Sequence, residues 1–62
     1  MNTRNRLRDI REDQDITQKK VAGMLNLTSG AYSRKENGTR GFTIDEAKKL
    51  ARIFLVSIEE LF

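Results

Sequence analysis

Thr17-Gln18-Lys19-Lys20-Val21-Ala22-Gly23-Met24-Leu25-Asn26-Leu27-Thr28-Ser29-Gly30-Ala31-Tyr32-Ser33-Arg34-Lys35-Glu36-Asn37-Gly38 decides the fold of this chain. It predicts two short helices joined by a tight turn. The Thr17 hydroxyl is placed to cap the first helix by accepting an orphan backbone N–H of the first turn. Val21, Ala22 and Leu25 then fall on one face at helical spacing. Asn26 follows, a residue that tolerates the left-handed conformation in which many helices end. Leu27 can plug the angle between the two helices. Thr28 caps a second helix that runs to Asn37, and Gly38 stops it at a position where glycine is favoured.

Two helices at a steep angle across so short a turn make a helix-turn-helix. Ala22 falls where they should cross, and its small side chain lets the backbones approach. The exposed face of the second helix carries short hydrogen-bonding groups and one arginine, with no bulk to keep it out of a groove. A DNA major groove about 12 Å wide admits one helix, led by its N-terminal residues. Ser29, Gly30, Ser33 and Arg34 are therefore candidate base contacts. Glycine inside a helix costs up to about 1 kcal/mol relative to alanine, so Gly30 suggests close approach by DNA. The opposing explanation is a tolerated first-turn glycine. Arg34 can reach a guanine edge with both arms, or a phosphate only, since it lies beyond the first turn. Gln18 projects beside the positive end of the first helix, where an anion is welcome. Asn37, Thr39 and Arg40 flank the far end of the second helix and are candidate phosphate contacts with Gln18. Thr28 is shared between capping and phosphate.

Charge supports this reading. Residues 1–40 carry a net charge of +4 and residues 41–62 a net of −1, so the basic side is the side with the two helices. Size and composition exclude much else. A 62-residue chain is one domain, 1–62, and buries only about 60% of its unfolded surface. It has no cysteine and no histidine, so neither a disulfide nor a zinc site is expected to brace it, and no cofactor is implied. With no His, no Cys and no acid pair in an evident cleft, an enzyme is not expected. Charged residues make up 34% of the chain, and no apolar run approaches the ~20 residues of a membrane span. The N-terminus has no apolar core of a signal peptide, and a cytoplasmic protein is expected.

Outward from the central stretch, a first helix should run from about Thr3 to Asp13. Leu7 and Ile10 face inward, and Arg4, Arg8 and Arg11 share a solvated face. Those arginines read as ordinary surface, diluted by Asp9, Glu12 and Asp13. Tyr32 reads as core and Glu36 as structural. Phe42 should anchor the loop after Gly38. Thr43 with Glu46, and Ser57 with Glu60, have the spacing of capping boxes. The first opens a fourth helix, with Ile44, Ala47, Leu50, Ala51 and Phe54 on one face. The second opens a single-turn fifth helix carrying Leu61 and Phe62. Ile53, Leu55, Leu61 and Phe62 are more apolar surface than one small helix pair can hide, which points to a homodimer interface.

Thr17-Gln18, Val21-Ala22, Leu25, Tyr32-Ser33-Arg34 and Glu36-Asn37-Gly38 resemble the Cro/phage-repressor, or XRE-type, helix-turn-helix family. Residues 6–12 are similar to its first helix, and 47–51 with 56–62 to its last two. The resemblance implies an all-α, five-helix, lambda-repressor-like DNA-binding domain with the helix-turn-helix at helices 2 and 3. It implies a sequence-specific transcriptional regulator, a repressor of phage or mobile-element type, laying helix 28–37 in the major groove of double-stranded DNA. A homodimer on a palindromic operator fits this. The glutamine matching Gln18 bonds a backbone phosphate in that family.

Three positions depart from the family pattern. Asp15 stands where Gly or Asn is usual. Leu55 stands where Gly or Asn normally ends helix 4; either that helix ends differently or packing offsets a strain of roughly 1–2 kcal/mol. Lys35 stands where many members have an apolar residue, its stem along the core and its ammonium reaching water. Two alternatives accompany the DNA-binding reading. One is a protein-interaction module of the same fold, such as an antitoxin or an anti-repressor partner. The other is the DNA-binding domain of a longer regulator, against which Met1 opens the domain and Phe62 closes it at the family boundary.

Overall fold

A computed structural model describes residues 6–62. The expected helix start at Thr3, and Arg4 with it, lie outside the described residues. Five helices follow in order: α1 (Leu7–Asp13), α2 (Gln18–Met24), α3 (Ser29–Glu36), α4 (Ile44–Phe54) and α5 (Ile58–Leu61). No strand occurs among the described residues, so the all-α expectation holds.

The helix boundaries follow side-chain chemistry. Thr17 Oγ1 accepts from Lys20 N at 3.1 Å, and Thr28 Oγ1 from Ala31 N at 3.1 Å. Both capping boxes are complete, with Thr43 and Glu46 opening α4 and Ser57 and Glu60 opening α5. Each cap satisfies an N–H that a first helical turn otherwise leaves unpaired. Asp15 (φ 56°) and Asn26 (φ 59°) take the left-handed conformation after α1 and α2, and Gly38 (φ 91°) does so after α3.

Leu7, Val21, Ala22, Leu25, Tyr32, Leu50, Phe54 and Leu61 form one core to which every helix contributes. Ala22 is buried, as expected at the α2–α3 crossing, and its carbonyl accepts from Leu27 N at 2.8 Å to hold the turn. The ends of the fold are stitched together by Arg6 N donating to Leu61 O (3.0 Å) and Gln14 Nε2 to Phe54 O (3.0 Å).

Four expectations need correction. Ile44 does not join the inner face of α4 but is 73% exposed, because it sits at the open first position of the helix while Phe42 packs against the core from the preceding loop. Lys35 does not send its ammonium to water. Nζ bonds both oxygens of Glu46, at 2.7 and 3.0 Å, and lies 5.9 Å from the centre of the Phe42 ring. Leu61, expected at a dimer interface, is fully buried in the chain's own core, since the single turn of α5 points it inward. Arg11, expected on a solvated face, is buried at i+4 from Leu7.

Leu55 resolves the other way. It ends α4 in the left-handed conformation (φ 58°, ψ 44°) with its side chain 88% exposed, so no packing among the described residues offsets the strain.

Candidate nucleic-acid interface

Helix α3 buries Tyr32 in the core and presents the opposite arc outward. Ser29, Gly30 and Arg34 are exposed and Ser33 half-buried, all on one side of the helix. Neither serine hydroxyl has a partner among the described residues, which leaves both able to donate or accept. A Cβ added at Gly30 would meet only Arg34 Nη1, at 3.7 Å, an ordinary contact. The fold itself therefore makes no demand for glycine there. The same distance places the Arg34 guanidinium back over the first turn of α3.

The flanking residues divide by what their donors already do. Thr28 Oγ1 is an acceptor in its cap, and its hydroxyl hydrogen remains to be given. Thr39 donates both N–H (3.0 Å) and hydroxyl (2.7 Å) to Asn37 Oδ1. Thr39 can thus give its hydroxyl to a phosphate only by leaving Asn37, whereas the Asn37 amide keeps its own N–H groups. Arg40 is exposed, and its backbone N–H donates to Arg34 O at 3.1 Å, which fixes the loop against the end of α3.

Behind this surface lies a charged cluster that sequence reasoning missed. Glu36, on the inner side of α3, is fully buried. Arg11 Nε donates to its Oε2 at 2.8 Å and Arg11 Nη2 to its Oε1 at 3.1 Å. Arg11 Nη1 donates to Ile16 O at 2.7 Å. Gln18 Nε2 donates to Glu36 Oε1 at 3.1 Å, so the candidate phosphate contact on α2 rests on this carboxylate. Burial pushes the Glu36 carboxyl up, but the hydrogen bonds from Arg11, with that from Gln18, outweigh it and hold the group at about 2. The Arg11 guanidinium is raised by the same bond. Glu36 is thus ionised throughout the neutral range. The Leu7–Arg11 spacing was the available local signal, but nothing local could pair Arg11 with an acid 25 residues away.

A short helix carried on a second one across a tight turn, its small polar face outward, is the geometry of a helix-turn-helix domain. The family described as Helix-turn-helix matches residues 7–61, and the chain belongs to that family. It is also 32% identical over 57 residues to the cryptic phage CTXphi transcriptional repressor RstR of Vibrio cholerae, a match covering 92% of this chain and 51% of that protein. The chain spans about half the length of this curated relative. No solved structure matches it.

Proposed function

We propose that this chain is a sequence-specific, double-stranded DNA-binding transcriptional regulator of the repressor type, which lays α3 in the major groove. The observation that carries the reading is the outer face of α3. Ser29, Gly30 and Ser33 offer short polar groups and no bulk, with Arg34 folded over the first turn. The likeness to a phage repressor and the net +4 of residues 1–40 support it. Ser29, Gly30, Ser33 and Arg34 meet base edges; Gln18, Thr28, Asn37, Thr39 and Arg40 meet phosphate. The role is one of binding, in the cytoplasm, without catalysis. No helix among the described residues is long and apolar enough to cross a membrane.

The reading includes a homodimer on a two-fold operator. With Leu61 withdrawn into the core, the surface for it is Leu55 (88% exposed) and Phe62 (49% exposed), with Ile53 half-buried against the core. Leu55, Ile58 and Phe62 recur at i, i+3 and i+7 across the α4–α5 junction, and all three are exposed.

The test separates reading from positioning. A duplex selected from a random pool and a scrambled duplex are titrated with the Ser29→Ala and Arg40→Ala variants at several salt concentrations. Ser29→Ala should lose about 1–3 kcal/mol on the selected duplex and little on the scrambled one. Arg40→Ala should weaken both and reduce the salt slope by about one unit. Equal losses on both duplexes for Ser29→Ala would falsify the base-reading role.

A further inference from the structure

The sequence predicts Arg8 on an ordinary solvated face. Its nearest partner gives it a different character. Arg8 Nε lies 3.3 Å from Glu36 Oε1, the same oxygen that accepts from Gln18 Nε2 at 3.1 Å. Glu36 is fully buried, whereas the Arg8 side chain is 35% exposed. Two guanidinium groups therefore face one carboxylate. Arg11 uses Nε, Nη1 and Nη2 within the fold and neutralises Glu36 by a two-armed bond. Glu12, the other acid near Arg11, stands 3.8 Å away with its side chain 62% exposed, where water screens it. The positive charge of Arg8 is thus the surplus of the cluster, and it is held at the surface.

We propose that Arg8 and Gln18, docked side by side on Glu36 Oε1, form one binding site for a DNA phosphodiester, which adds α1 to the DNA-contacting elements. Arg8 spends Nε on the carboxylate and keeps both terminal nitrogens, which carry four of its five N–H groups. Gln18 gives one hydrogen of its amide nitrogen to Glu36 and keeps the second. Both remaining sets are donors only, and both start from a common oxygen, so they lie within reach of one tetrahedral anion. An arginine fork suits a phosphate for two-armed bonding. Glu36 acts as the positioning residue. As an acceptor it keeps the nitrogen rather than the oxygen of the Gln18 amide toward the site, and its own charge is cancelled by Arg11. This site rests on the DNA-binding reading and deepens it.

The test uses the full chain and four variants: Arg8→Ala, Arg8→Lys, Gln18→Ala and the double variant Arg8→Ala/Gln18→Ala. Affinity for a random duplex is measured between 50 and 200 mM salt, with thermal unfolding as the check on folding. Arg8→Ala should reduce the salt slope by about one unit, shrinking the affinity change over that range by about 3.5-fold. Arg8→Lys should keep the slope. Gln18→Ala should weaken binding without changing it, because glutamine is uncharged. The double variant should lose less than the sum of the two singles, since both side chains serve one phosphate. An unchanged slope for Arg8→Ala in a protein that binds steeply overturns the assignment, and so does strict additivity. A wild type with no steep duplex binding refutes the DNA reading instead. Inorganic phosphate then decides the site alone: joint shifts of the Arg8 Nε–H and Gln18 side-chain amide NMR signals uphold it, and their absence overturns it.

Discussion

Removing the Glu36 carboxylate is the most telling perturbation of the fold. In Glu36→Ala the Arg11 guanidinium stays buried while two of its nitrogens lose their acceptor. Breaking a buried pair from one side costs about 3–5 kcal/mol. A domain of this length has a total stability of only about 3–9 kcal/mol. Glu36→Ala should therefore be largely unfolded at 25 °C or unfold at much lower urea than wild type. Removing both charges should behave differently: Arg11→Met/Glu36→Leu should be neutral or more stable by about 1–4 kcal/mol. The pH dependence follows from the depressed carboxyl. Its folded value of about 2 lies below its ordinary 4.5, so the stability it contributes is fully present above 4.5 and is lost as pH falls through 2. Urea denaturation at pH 7 and in steps down to pH 2 reads both effects, with a shallower acid loss in the doubly neutral variant. A cost below about 1 kcal/mol for Glu36→Ala would place the pair among solvent-exposed ion pairs and refute the reasoning.

Ala22→Leu should overpack the α2–α3 crossing at a cost of about 1–3 kcal/mol; a variant that melts with wild type and still binds DNA rules out that crossing. Gly30→Ala should stabilise the isolated protein by up to about 1 kcal/mol, because its Cβ meets only an arginine tip, while weakening the selected duplex. Unchanged affinity there would remove the argument from close approach. Leu55→Gly should relieve the left-handed strain and raise monomer stability by about 1 kcal/mol, yet weaken self-association. Sedimentation that finds only monomer at high micromolar concentration, with and without duplex, sinks the dimer.

What the sequence made legible is what local chemistry controls. Thr17, Thr28, Thr43 and Ser57 marked helix starts because a cap is a contact between near neighbours. Asn26 and Gly38 marked stops because left-handed backbone is tolerated by few side chains. The small polar arc of α3 followed from helical period alone. The cluster behind it did not. Arg8, Arg11, Gln18 and Glu36 come from three helices, and a charged residue at a core-facing position is legible only once its partner is known. The Lys35 ion pair is hidden for the same reason, since Glu46 reads locally as a capping residue and gives no sign of a second bond. The burial of Leu61 is not legible because a single-turn helix has too few residues for its inner side to be read from period.

Duplex binding by the unmodified chain is the decisive property. Its affinity for a selected and a scrambled duplex should be measured across salt concentration. A DNA-reading α3 predicts a clear preference for the selected duplex and a steep fall of both affinities with salt, by about one unit of slope for each arginine or lysine on a phosphate. A flat salt response, or equal affinity for the two duplexes at every salt concentration, would contradict it.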